Sequence, residues 1–414
     1  MANVTMANVQ NAMQKVLAPF IQDNFDKKTI LLDQVKRAKN VTFMNDNFYA
    51  PIRTSRHGGI AALATDASSL VSSNASIGQA TIPVKYLTGT FTISKPVIDA
   101  TKTTKGAVEN QLTFQARTLA DDFAKDVNRQ LFGDGSGIIS QVLGSVGAST
   151  ASLTYKDANL DDGSSIDNYG SVNGDISPVK YIFPGQILGV GTAAAALGTV
   201  SSVTGTSVVF TASTAIAAND AIFKMDGSGA GAGSAELTGI RKALSSTTGT
   251  STYAGVARST TGWTPQLGTT SEALTLSAIE DVYLAAREYA QAGDRYAIFV
   301  NKTLYKKYGD IMTSMRRAVN TTQLLGGWSG LEFEAGGGSV GVFLDYDVPD
   351  GEVLVLNLDS FQLCQISSMG WSEDPSGSLL RTRGNLLYEA TMHWFVNLIC
   401  LAPAANGRLT QKSA

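Results

Sequence analysis

"LTFQARTLADDFAKDVNRQLFGDGSG", residues 112–137, decides how this chain is read. Val108, Leu112, Ala116, Leu119, Phe123, Val127 and Leu131 recur three or four apart, which makes one apolar stripe along a helix. Asp121 and Lys125 form an i,i+4 pair on the other face. Thr103 or Thr104 can cap the start, and Gly133 is the expected stop. Such a helix would span roughly 40 Å. The three glycines of "GDGSG" raise the question of a phosphate site, since anions sit on the free N–H groups at a helix start. Here the glycines follow the helix, where its carbonyls and the negative end of its dipole repel an anion. They terminate the helix and do not cradle a ligand.

On the N-terminal side, residues 1–40 have weak helical periodicity broken by Pro19, with Lys27, Lys28, Lys36, Arg37 and Lys39 as a solvated basic face. From about Tyr49 to Lys95 the chain reads as extended, with a long Gly/Ala/Ser middle. Ile82, Val84 and Tyr86 then alternate with Thr81, Pro83 and Lys85, and Phe91 and Ile93 repeat the pattern after a Thr-Gly turn. A two-stranded arm this poor in apolar residues cannot hold itself together in water. It needs something to lie on.

On the C-terminal side, helical periodicity disappears between roughly Ser145 and Ala235. Short segments, "PVKYIF", "GQILGV", "LGTVSSV", "TSVVFT" and "DAIFKM", predict a small sandwich or barrel closed by the linker "SGAGAGSAE". "SAIEDVYLAAREYAQAG" predicts a second helix, with Ser277 and Glu280 as a capping box and Gly293 as its end. "YAIFV" reads as a buried strand, "NKTLYKKYGDIMTSMRRAV" as one or two short helices, and "SVGVFLDY" and "EVLVLNL" as strands. The last strand is long: Leu386, Tyr388, Ala390, Met392, Trp394, Val396, Leu398 and Cys400 share one face at period two, suited to a sheet packed on the long helix.

The whole is an α+β chain of 414 residues, 43% hydrophobic and with 41 glycines. Only 16% of its residues are charged, against roughly 25% in ordinary globular domains, so its surface is held in solution by neutral groups or covered by other chains. A net charge of −3 argues against a protein that grips nucleic acid by its phosphates. Cys364 and Cys400 cannot make a disulfide framework and read as buried thiols. The N-terminus lacks the pattern of a signal peptide, and no run has the length of a membrane span, which predicts a soluble protein made in the cytosol.

Candidate chemistry is sparse. His57 and His393 lie far from any Cys or acidic cluster at ligand spacing, so a loop role for His57 and a structural role in a strand for His393 are expected. Asp157, Asn159 and Asp161 alternate like the start of a calcium loop, but Gly163 comes one place late and Asn168 stands where a glutamate belongs. "GGSVG", residues 337–341, fits G-x-S-x-G, with Asp345 or Asp359 and then His393 in hydrolase order around Ser339. A nucleophile elbow needs a helix after the serine, and a strand-like run follows here. Asp121–Asp122 and Asp161–Asp162 are sequence neighbours and do not form acid–base dyads. No catalytic, cofactor-binding or metal-binding residue is assigned.

Taken in order, "LTFQARTLADDFAKDVNRQLFGDGSG", "ELTGIRKAL" and "LYEATMHWFVNLICLAP" resemble the major capsid proteins of tailed bacteriophages, the Hong Kong-97-type fold. The resemblance implies an N-terminal arm over 1–48 and an extended E-loop over 49–95. It puts a spine helix and the start of a peripheral domain in 96–144, with that domain continued over 236–294. A mainly axial domain would fill 295–375, and closing strands 376–414. The β region at 145–235 departs from the pattern and reads as an inserted domain.

The function implied is a non-enzymatic head protein. It would self-assemble into pentamers and hexamers of an icosahedral shell around double-stranded DNA, in the host bacterial cytoplasm and then the virion. Its expected partners are further copies of itself, a separate scaffolding protein, a portal at one vertex, a decoration protein, and packaged DNA through non-specific contact. No membrane and no cofactor is expected. A serine hydrolase built on Ser339, or a β-rich decoration or adhesin protein working through 145–235, are the competing readings.

Overall fold

The long helix runs from Gln111 to Phe132, about 33 Å. The computed structural model describes residues 30–38, 41–60, 62, 72–101, 111–135, 137–142, 150–154, 181–190, 195–204, 207–210, 221–224, 235–245, 251–260, 262–270, 272–291, 293–314, 321–323, 329–335, 338–349, 351–372, 380–381, 386–410 and 412–413. The expected caps Thr103 and Thr104 and the calcium-like run 157–168 lie outside them. At its other end the helix stops as expected: the Gly133 N–H donates to the Gln130 carbonyl (3.0 Å), and Gly135 and Gly137 take φ of 82° and 75°, values glycine reaches without strain.

The chain forms two compact units. One comprises Thr88–Lys125 and Met369–His393. In it, a Cβ on Gly89 would sit 3.2 Å from Leu119 and 3.3 Å from Phe123, so this strand lies directly on the helix. Phe91 meets Trp371 edge-on at 5.9 Å. The expected Thr-Gly turn is absent: Thr88 and Gly89 lie inside the strand Lys85–Ser94. Here the backbone needs closeness to the helix, and glycine supplies that without a turn.

The other unit comprises Thr29–Leu87, Asp126–Ser368 and Trp394–Ala414. Its centre is a seven-stranded sheet in the order Gln266–Gly268, Gly407–Leu409, Val353–Asn357, Tyr296–Val300, Gly338–Leu344, Ser329–Ala335, Thr321–Gln323. Val353–Asn357 is buried at every position, as a central strand covered on both faces must be. Two helices, Leu276–Arg287 and Lys302–Ser314, close one core with it: Ile279, Val282, Tyr283, Leu304, Tyr308 and Met312 pack with Ile298, Val342, Val355 and Leu409. The first helix begins earlier than its capping box suggested. Thr275 is the cap, accepting from the Ala278 N–H, and Gly293 (φ 89°) turns the chain after the helix has ended. Asn301 caps the second helix, accepting from the Leu304 N–H at 2.9 Å.

The β region forms a closed six-stranded barrel of Ile138–Val142, Thr150–Thr154, Ile187–Val190, Ala195–Thr204, Ser207–Phe210 and Ala221–Lys224. It recruits Ile138–Val142, ahead of the expected boundary at 145. "PVKYIF" supplies no strand among its described residues; Ile182 instead plugs the barrel core beside Leu188, Val200, Val208 and Ile222.

Leu409 sits in the inner sheet, between Val353 and the helix residue Val282. Leu409→Ala should lower the unfolding free energy by about 2–5 kcal/mol, read from denaturant titration.

Candidate assembly interface

The arm is a hairpin. Asn47–Arg53 pairs antiparallel with Ile77–Pro83, in register from Asn47↔Pro83 to Arg53↔Ile77. Its root is seated. Phe48, Ala50, Ala80 and Ile82 are buried, the Thr81 N–H donates to the Ala254 carbonyl (2.7 Å), and Asn397 Nδ2 donates to the Pro83 carbonyl (2.6 Å). Burial then changes phase: Val84 is buried, Tyr86 is exposed and Leu87 is buried, because regular pairing breaks at Val84 between two strands. The expected common face of Ile82, Val84 and Tyr86 is therefore split. Tyr86 turns outward to donate to Asp46 (3.1 Å) and to meet Phe395 edge-on.

The distal part is different. Residues 72–77 are all exposed, and Ile60 and Ile77 present 84% and 80% of their surface to solvent. The hydrogen bonds there are local: Thr54 N–H to the Ser76 carbonyl and Ser76 N–H to Ser55 Oγ cross the ribbon, and Arg53 Nε donates to the Ser55 carbonyl along its own strand. Ile60 and Ile77 are both large apolar side chains held in water on a narrow ribbon. A second hairpin, Thr42–Met44 with Asn47–Tyr49, turns at Asn45 and Asp46, both at positive φ, and exposes Phe43 and Met44.

The body beneath the arm holds buried ion pairs. "ELTGIRKAL", residues 236–244, folds over the end of the long helix. Arg129 forms a forked pair with both carboxylate oxygens of Glu236, and Asp126 Oδ1 accepts from both Arg129 and Lys224. Gly239 lies so close to the Gly133 and Gln130 carbonyls that no side chain fits there. Farther along, Glu352 is fully buried between two guanidiniums, Arg408 Nη2 at 2.7 Å and Arg241 Nη2 at 3.0 Å. Burial works against its charge, yet Arg241 and Arg408 outweigh burial and hold the carboxyl below the usual range. Asp126 is lowered in the same way by Arg129 and Lys224.

These charges were not singled out in the sequence. The signal in the sequence was three charges, Glu236, Arg241 and Lys242, inside the short stretch "ELTGIRKAL".

The residues weighed for catalysis are not organised for it. Ser339 lies in the strand Gly338–Leu344 opposite Glu334 of a neighbouring strand, so it occupies a hairpin and not an elbow before a helix. Asp359 accepts from the Arg295 N–H (2.9 Å) and pairs with its guanidinium, while Asp345 accepts from the Asp347 N–H. His393 lies within the strand Leu387–Cys400 opposite Gly370, and His57 accepts from the Gly59 N–H in an exposed stretch. Asp122 pairs with Lys125 at 3.5 Å. Cys364 and Cys400 are buried free thiols that burial pushes up to about 12 and about 11, which keeps them protonated and unreactive. Among the described residues no cluster of His, Cys, Asp and Glu could hold a metal ion, and no helix is long and apolar enough to cross a membrane.

The mixed helix-and-sheet fold matches that of phage capsid proteins. The chain is similar over 99% of its length, and all of the other's, to the cyanophage A-1(L) capsid asymmetric unit, with 13% identity and a TM-score of 0.59. It is similar over the full length of both chains to the capsid of a native GTA particle (13% identity, TM-score 0.52). It also matches the holo-SrpI encapsulin complex of Synechococcus elongatus PCC 7942, with 9% identity, a TM-score of 0.50, and coverage of 100% of this chain and 97% of that one. No protein-family model and no curated protein matches the chain. What is shared at these identities is the fold.

Glu352→Gln should cost about 3–5 kcal/mol at neutral pH, since it leaves two guanidiniums buried around a neutral group. A carboxyl lowered in the folded state stabilises above its unfolded pKa, near 4.3, and that contribution is lost as pH falls toward the folded value. Urea titrations should therefore show wild-type stability falling below about pH 4.3 and the gap to Glu352→Gln narrowing there.

Proposed function

We propose that this chain is a major capsid protein that assembles with its own copies into pentamers and hexamers of an icosahedral shell around double-stranded DNA. The exposed distal arm carries the reading: Ile60 and Ile77 find no cover within the chain's described residues, and a neighbouring subunit is the cover a shell provides. Head-to-tail contacts of this kind close into rings. The full-length likeness to the cyanophage and GTA capsids supports the same reading.

In this account the arm is the E-loop and the helix Gln111–Phe132 the spine. The seven-stranded sheet is the core of the axial part, extended beyond 295–375 by Gln266–Gly268 and Gly407–Leu409. The barrel is an inserted domain. Its chain leaves at Gly133–Gly135 and returns at Leu237–Gly239, where the two passes touch, so an excursion can be added there without moving the body. A separate scaffolding protein assists assembly, a portal occupies one vertex, a decoration protein can bind outside, and packaged DNA touches the shell without sequence preference. Assembly takes place in the host bacterial cytoplasm and the product is the virion shell.

The expressed chain, alone or with its scaffold, should give rings or shells in negative-stain micrographs. Deleting residues 56–78 should leave a folded subunit that yields few particles. A monomer under every condition, or normal particle yield after the deletion, would overturn the assignment.

A further inference from the structure

The two helices of the seven-stranded module carry opposite charge. Leu276–Arg287 together with Glu288 bears Glu280, Asp281, Arg287 and Glu288, a net of −2. Lys302–Ser314 bears Lys302, Lys306, Lys307 and Asp310, a net of +2. Both helices pack into one core, yet they lie over different strands. Val282 of the acidic helix rests on Gly268 and Gly407 at one end of the sheet, whereas the basic helix lies against Gly338–Leu344 beyond its middle strand.

The exposed faces are shaped for contact. Glu280, Asp281 and Glu288 are exposed and surround Leu284 and Tyr289, which present 42% and 45% of their surface. Apolar anchors inside a charged rim are the anatomy of a protein interface. Among the described residues no ion pair engages Glu280, Asp281, Glu288, Lys306 or Lys307, so these charges are not spent within the chain.

We infer that in the ring of copies the acidic helix of one subunit docks against the basic helix of the next, with Leu284 and Tyr289 covered in the contact. The inference rests on the shell reading for its ring, but the contact itself is a pairwise one. An isologous pairing of either helix with itself would oppose like charges, whereas head-to-tail pairing opposes unlike ones and leaves each subunit one acidic and one basic face to pass on.

Charge reversal tests it. Glu280→Lys with Asp281→Lys makes both faces basic, and Lys306→Glu with Lys307→Glu makes both acidic. Glu280, Asp281 and Lys306 are exposed and Lys307 is half-buried, and circular dichroism should report unchanged folding. Each double variant alone should lose about tenfold or more in particle yield, and the quadruple variant should recover it. A 1:1 mixture of the two double variants should associate in sedimentation velocity under conditions where each alone stays monomeric. Shells at normal yield from both double variants, or a mixture that remains monomeric, would overturn the contact. If the wild type forms no shell but the mixture associates, the contact stands and the capsid reading fails.

Discussion

Glu352 ties together three parts of the chain that are far apart in sequence. Its carboxylate meets Arg241 from the segment that folds over the long helix and Arg408 from a C-terminal strand, and it directly precedes the fully buried strand Val353–Asn357. A buried carboxylate is costly without partners, so the two guanidiniums and the glutamate have to arrive together or not at all. The second ionic group, Asp126 with Arg129, Lys224 and Glu236, does the same for the end of the long helix and the last barrel strand. Between them they fix the helix end, the returning chain and the central sheet as one body.

The arm springs from this body. Its root is pinned by Thr81 to Ala254 and by Asn397 to Pro83, both buried or half-buried contacts. Beyond Arg53 and Ile77 the hydrogen bonds among the described residues stay within the ribbon itself. On the proposed shell reading, a limb with a seated root and uncovered apolar side chains meets a neighbour at a definite place.

Much of this was legible in the sequence wherever a period ran long. The helix through Phe132, the strand of "YAIFV" and the alternation from Ala390 to Val396 all follow from spacing alone. Errors came where local signals competed. Ser277 and Glu280 imitate a capping box, but Thr275 holds the cap because its side chain reaches the Ala278 N–H. Thr88-Gly89 imitates a turn, but that glycine is there to let a strand approach Leu119 and Phe123. From Val396 onward the last strand is buried on both faces, and alternation no longer says which side is core. Buried charges such as Glu352 and Arg408 carry no periodic signal at all, since their partners are set by the fold.

The central claim is that the distal arm is completed only by other copies. Hydrogen exchange of the backbone amides in residues 51–60 and 72–79, compared between isolated subunits and purified particles, tests it most directly. The account predicts exchange in the subunit faster by orders of magnitude than in the particle, while Val353–Asn357 stays protected in both. Equal, strong protection of the arm in the isolated subunit would contradict it.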